Sequence, residues 1–167
     1  WLKLTPSSTD YLLGIGHATY LIKKDGLTIL TDPVFSKRAS PVRFAGPKRL
    51  IPPAIPIDKL PKIDVITVSH NHYDHLDSRS LKQIHNANPD ATFLVPKGDK
   101  RRLERRGIDN VKEFLWWEET EIQGSKFTFT PVQHWSARGI ADRNKSLWGG
   151  WFMKLKTESI YHAGDTG

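Results

Sequence analysis

The chain has 167 residues, 38% hydrophobic and 26% charged, a balance that builds one folded domain or part of a larger one and excludes a multidomain machine and a disordered chain. It contains no cysteine, which removes disulfides, thiolate metal sites and cysteine nucleophiles, so any metal must be held by histidine and carboxylate. The net charge of +7 is uneven: Ser36 to Arg49 carries +5 with no acid, and Lys97 to Arg106 carries +4.

Residues Trp1 to Pro6 show no basic segment followed by an apolar one and a cleavage site, so no export signal is visible, and Trp1 in place of Met suggests trimming. The longest apolar stretch, Tyr11 to Ile22, is interrupted by His17 and Thr19 and falls short of the roughly 18 residues of a membrane span. Short β-type runs follow at Tyr11 to Gly16, Thr19 to Lys23 and Leu27 to Thr31, the last two joined by a hairpin turn at Lys24 to Gly26, which predicts a meander. Seven prolines between Pro33 and Pro61 block helix and central strand alike and predict a long functional loop carrying the +5 stretch.

Ile63 to Ser69 is rich in β-branched residues and reads as a central strand ending at a polar cluster. Asp77 and Ser78 can cap a helix to about Ala87 with Leu81, Ile84 and possibly His85 inward. Thr92 to Val95 is a strand, and Lys97 to Arg106 a short basic helix ended by Gly107, read as a solvent-exposed face. Strands are expected at Val111 to Leu115, Thr120 to Gln123, Lys126 to Val132, Gly150 to Lys156 and Ser159 to Ala163. Many strands with few helices predict a layered α/β or α+β domain.

The chemistry concentrates in Ser69 to Asp77, where His70, His72, Asp74 and His75 fall within six positions. In an extended chain residues two apart point the same way, so His70 and His72 can grip one ion, while Asp74 and His75, at the turn into the helix, can reach a second. The spacing therefore encodes two adjacent metals, and Zn²⁺ accepts this nitrogen and oxygen mixture. The alternative is a polar loop whose histidines only bond their neighbours.

The pattern H-x-H-x-D-H after a buried strand resembles the metallo-β-lactamase fold superfamily of binuclear zinc hydrolases. The chain is more specifically similar to its N-acyl-phosphatidylethanolamine-hydrolysing phospholipase D branch and bacterial relatives. That likeness runs through Gly16-His17-Ala18-Thr19, Thr31-Asp32-Pro33, Arg38-Ala39-Ser40-Pro41, Gly46-Pro47-Lys48-Arg49, Trp116-Trp117-Glu118-Glu119, Gln133-His134-Trp135, Leu147-Trp148-Gly149 and Ala163 to Gly167. It implies a four-layer αββα sandwich in which His70, His72 and His134 hold one zinc, Asp74 and His75 hold the other, and Asp165 bridges both. A further ligand histidine lies beyond Gly167 in the family, so residues 1–167 are expected to form the first half to two-thirds of a single C-terminally truncated domain. Asp32 resembles the family's aspartate that buttresses a ligand histidine, the alternative being a turn former before Pro33.

The resemblance implies a phosphodiesterase with two Zn²⁺ ions per complete domain, Asp74 and Asp165 as the catalytic carboxylates, and an N-acylated phosphatidylethanolamine as substrate. Hydroxide bridging the two zinc ions would attack phosphorus, with Asp165 orienting it. The expected partners are a phospholipid or other phosphodiester and a peripherally contacted membrane surface, in a cytoplasmic location, with nucleic acid disfavoured. The rivals are a nuclease or lactonase of the same fold and an inactive basic fragment. His17 either lines the site or, the favoured reading, satisfies a backbone group; His85 and His162 are read as core or surface residues, the tryptophans as packing. Asn71 and Tyr73 lie in the metal loop without a forced role.

Overall fold

The structure, a computed structural model, describes residues 10–42 and 44–167. The segment read for an export signal and Arg43 of the basic loop lie outside the described residues.

Strands β1 (Tyr11–Gly16), β2 (Thr19–Lys24) and β3 (Leu27–Thr31) form the expected antiparallel meander. The β2–β3 turn is Asp25-Gly26, both at positive φ (53° and 83°), which matches the twist of a two-residue hairpin. β4 (Val65–Thr67), β5 (Thr92–Pro96) and β6 (Val111–Phe114) continue the sheet in parallel, in the order β1-β2-β3-β4-β5-β6. A second, antiparallel sheet contains β7 (Glu119–Ile122), β8 (Ser125–Thr130), β9 (Gly150–Lys154) and β10 (Ser159–His162), in the order β10-β9-β8-β7.

Side-chain alternation sorts the apolar residues to two cores. Leu30, Ile66, Phe93 and Val95 pack with Leu81 and Ile84 of helix α1 (Ser78–Ala87) and Leu103 of helix α2 (Lys100–Glu104). Ile29, Val65 and Leu94 point the other way and meet Phe127, Phe129, Trp151 and Met153 of the second sheet. Three of the four expected layers are thus present among the described residues: helices, six-stranded sheet, four-stranded sheet. The outer face of the second sheet exposes Phe152 and Tyr161. Trp151 fixes the two sheets together: fully buried, it donates Nε1–H to Val68 O at 2.8 Å and packs on Phe114 and Phe129.

Most elements match the sequence reading to within a residue or two. The central strand is shorter than expected because its flanks bond outside the ladder: Ile63 N–H donates to Asn88 Oδ1, and Ser69 N–H to Asp32. Helix α2 holds only five of the ten residues assigned to it. The proline-rich loop carries a single isolated bridge, Arg38 to Lys48, and a short 3-10 helix at Ile57–Lys59. It is tied down by Ser36 N–H donating to Asp77 Oδ2, on the residue that caps α1. Among the described residues no helix is long and apolar enough to cross a membrane.

Candidate metal centre

The centre is built on the adjacent ends of β3 and β4. Asp32, fully buried and at φ +35°, donates its backbone N–H to Thr67 O, which aims the carboxylate under the loop that follows β4. That carboxylate accepts from Ser69 N–H (2.7 Å), Ser69 Oγ–H (2.6 Å) and His75 Nδ1–H (2.7 Å). Ser69 Oγ gives its proton to Asp32, so it meets His70 Nδ1, 3.0 Å away, as an acceptor. His70 and His75 therefore both carry a proton on Nδ1, and one carboxylate fixes two tautomers and leaves each Nε2 facing outward. Of the two readings of Asp32, the structure shows the buttress.

His70 Nε2, His72 Nδ1 and His134 Nε2 close a triangle with sides of 2.9, 3.1 and 3.2 Å. An imidazole nitrogen is either a donor or an acceptor, so among three mutually adjacent nitrogens at least two are alike and one contact sets like against like. A cation accepting all three lone pairs removes that conflict. The separations approach the roughly 3.3 Å between ligands of a tetrahedral zinc with bonds of about 2.0 to 2.1 Å.

A second group converges beside the first. His17 Nε2 is 3.2 Å from Asp74 Oδ2 and 3.3 Å from His75 Nε2, so these three residues can also share an ion. Asp165 spans the two groups, with Oδ1 3.2 Å from His75 Nε2 and Oδ2 3.8 Å from His134 Nε2. It reaches there because Gly164 at φ +65° lets the end of β10 lie against Ser69; a Cβ at Gly164 would sit 2.5 Å from the Ser69 Cβ. The structure thus brings His70, His72, Asp74, His75, His134 and Asp165 together.

The favoured reading of His17 is corrected: its ring faces Asp74 and His75 rather than a backbone group, because the β1–β2 turn folds over the metal loop. His85 and His162 join none of the ligand groups, although His162 Nε2 stands 3.8 Å behind Asp32. Asn71 is buried and donates to Asp99. Arg138 was missed: its Nη1 donates to Asn71 O (2.8 Å) and Leu76 O (2.6 Å), its guanidinium lies 3.9 Å over the Tyr73 ring, and Tyr73 Oη donates to Arg138 O. It clamps the loop carrying His134 onto the loop carrying His72, a role that no local motif signals.

A family model described as a beta-lactamase superfamily domain matches residues 28–167. The chain belongs to this superfamily. It is 41% identical over 162 residues to the N-acyl-phosphatidylethanolamine-hydrolyzing phospholipase D 1 of Caenorhabditis elegans, covering 92% of this chain and 46% of that protein. The mitochondrial N-acyl-phosphatidylethanolamine-hydrolyzing phospholipase D of Saccharomyces cerevisiae is 39% identical over 162 residues, covering 94% of this chain and 34% of its own length. The chain therefore spans less than half the length of these relatives. Among solved structures, CmlA, a diiron beta-hydroxylase from Streptomyces venezuelae, superposes with a TM-score of 0.69 at 24% identity, over 96% of this chain and 30% of that one. That likeness shows a shared fold.

In this superfamily member the electrostatics prepare His70, His72 and His134 as neutral ligands. Burial, with the charge of His75 added, lowers His70 to about 2, and burial also lowers His72 and His134, so all three are neutral near pH 7. For Asp32 burial acts upward, but the charges of His162 and His75 and the hydrogen bonds it accepts bring it down to about 2, so it is a carboxylate. His75 shows the reciprocal effect: burial lowers it, and the Asp32 hydrogen bond and charge raise it to about 8.

A cleft of about 960 Å³ opens onto His17, His72 and Asp74. Its walls are largely apolar, including Ile15, Val34, Leu50, Ile51 and Trp135, with Lys48 and Arg49 at the same rim. Trp151 and Trp135 divide the tryptophans by role: the first is core packing, whereas the second lies edge-on to His72 at 4.4 Å and lines the cleft.

Proposed function

We propose that the centre holds two zinc ions and that the protein is a phosphodiesterase acting on N-acyl-phosphatidylethanolamine-type phospholipids. The observation that carries this reading is the junction of two features: a nitrogen triangle that only a cation relieves, and an apolar cleft with a cationic rim leading to it. Likeness to two proteins named for that lipid hydrolysis supports the substrate class.

His70, His72 and His134 would hold one ion, and Asp74 and His75, joined by His17, the other, with Asp165 placed to touch both. When bound, such a pair supplies an acidified water and positive charge for the oxygens that become negative during displacement at phosphorus. The chain's own groups do the rest. Asp32 and Ser69 keep the His70 and His75 lone pairs aimed at the centre. Asp165, partly exposed between the two groups, accepts a hydrogen bond from the attacking water and orients it. Arg49, held by donating Nη2–H to Val34 O, places a cation beside the phosphate, and Leu50 and Ile51 contact acyl chains.

The test is mass-spectrometric detection of phosphatidate and an N-acylethanolamine from N-acyl-phosphatidylethanolamine in mixed micelles. Turnover should be abolished by chelator and fall at least about a hundredfold in His72→Ala. Zinc-dependent cleavage of single-stranded RNA with the lipid untouched would overturn the substrate assignment.

A further inference from the structure

A second concavity, of about 530 Å³, lies across Tyr73 from the metal cleft. Seven arginines line it against one carboxylate, Asp77. They come from distant parts of the chain. The proline-rich loop supplies Arg38 and the start of α1 supplies Arg79; α2 and the turn after it supply Arg101, Arg102 and Arg105, among others; and the loop after His134 supplies Arg138. Arg38 of the first basic stretch thus joins the second stretch here, whereas Lys48 and Arg49 line the metal cleft. Helix α2, expected to be a solvent-exposed face, keeps Arg101 exposed and forms a wall of this pocket.

The fold uses part of this charge: Arg138 clamps two loops, Arg38 Nη1 donates to Gly46 O, and Arg102 pairs with Asp99 at 3.5 Å and Asp142 at 4.0 Å. Arg79, Arg101 and Arg105 are exposed and, among the described residues, make no side-chain hydrogen bond or ion pair. Arg102 Nε is buried without a hydrogen bond, its neighbour Asp99 Oδ1 lying 3.5 Å away. Asp77 does not neutralise the group, because its carboxylate is occupied by Ser36 N–H, Arg79 N–H and the Ser80 hydroxyl. Burial, and then the charge of Arg102, lowers the pKa of Arg138. Like charges gathered in a concavity repel until an anion joins them, and guanidinium forks match the oxygens of a phosphate group.

We propose that this pocket is a phosphate-binding site, separate from the metal centre, for a phosphate group carried by a second ligand. Base stacking, which single-stranded nucleic acid uses, is disfavoured here because Arg138 covers a face of the Tyr73 ring. The phosphate can come from a soluble molecule or from a lipid headgroup such as phosphatidate. The pocket adjoins the metal centre through Arg138, which holds the metal loop, so the test is made on Arg101 and Arg105, which are exposed and are not candidate metal ligands.

The test titrates the intact protein with pyrophosphate by calorimetry and, separately, measures its sedimentation with phosphatidylcholine vesicles with and without phosphatidate. Arg101→Gln with Arg105→Gln, on exposed positions, should weaken the binding by about tenfold or more while metal content is unchanged. Lys62→Gln with Lys154→Gln, the same charge change elsewhere, should weaken it by less than about twofold. Saturable binding of pyrophosphate without vesicle capture supports a soluble ligand, and capture by phosphatidate vesicles that is lost in the arginine double variant supports a lipid headgroup. Equal losses in the two double variants, or no loss in either, would overturn the site. So would tight binding of a single-stranded oligonucleotide with neither phosphate probe bound.

Discussion

Asp32 governs the centre through its hydrogen bonds and its charge. It accepts from Ser69 and His75 and, through Ser69, sets the proton on His70, so two proposed ligands in different groups depend on one carboxylate. Asp32→Asn replaces an acceptor oxygen with a donor amide and should lower metal affinity by about 10- to 100-fold, read by competition with a calibrated chelator. Affinity unchanged within about twofold would show that the tautomers are set elsewhere. At this scale the sequence was legible where ligands are close along the chain. His70, His72, Asp74 and His75 declare themselves by spacing, whereas His134 and Asp165 emerged only through family likeness. His17 and Arg138 carried no usable local signal, because their partners lie 58 and 67 residues away and are fixed by tertiary packing.

Strand ends do the positioning. β3 and β4 run parallel and finish together at Asp32 and Ser69, and β10 returns from the second sheet to deliver Asp165. Gly164 is the point of closest approach, with positive φ and no room for a Cβ against Ser69. Gly164→Ala should destabilise the fold by on the order of 1–3 kcal/mol and reduce metal retention together, measured by urea unfolding and by metal content after dialysis. Lost stability with metal retention intact would mean that Asp165 does not depend on this approach. The strands themselves were readable from β-branched runs and glycine or proline punctuation. The boundaries of β4 were not, because Asn88 and Asp32 side chains replace ladder partners at its two ends and no local pattern encodes that. Helix α2 was overextended at both ends: Lys97 and Gly98 belong to the connection from β5, with Asp99 as the cap, and Arg105 and Arg106 to the turn that closes on Gly107.

Over the whole molecule, charge and burial leave a pH signature behind the metal loop, where Asp99 accepts from Asn71. Burial raises Asp99 to about 6, overriding the hydrogen bonds from Asn71 and Ser146 and the charges of Arg102 and Arg138 that face it. The folded state therefore binds a proton more tightly at this residue than the unfolded chain, whose aspartate titrates near 3.8. Its contribution to stability is full below about pH 4 and is lost as pH rises through about 6, by a few kcal/mol at most. Asp99→Asn should flatten that slope in denaturant unfolding between pH 4 and 6; a slope unchanged by the substitution would place the titration on another group. The layered fold was legible from the order of the elements, and the two basic stretches were visible as charge. That Arg38 of the first stretch joins the second in one pocket was not, because it depends on the proline-rich loop folding back across α1. The central claim, that two metal ions occupy the histidine and aspartate cluster, is tested most directly by elemental metal analysis of the purified intact protein. The account predicts close to two equivalents per chain, reduced by at least about one when His70, His72 and His134 are replaced by alanine. Metal content near zero, or content that survives those three substitutions, would contradict it.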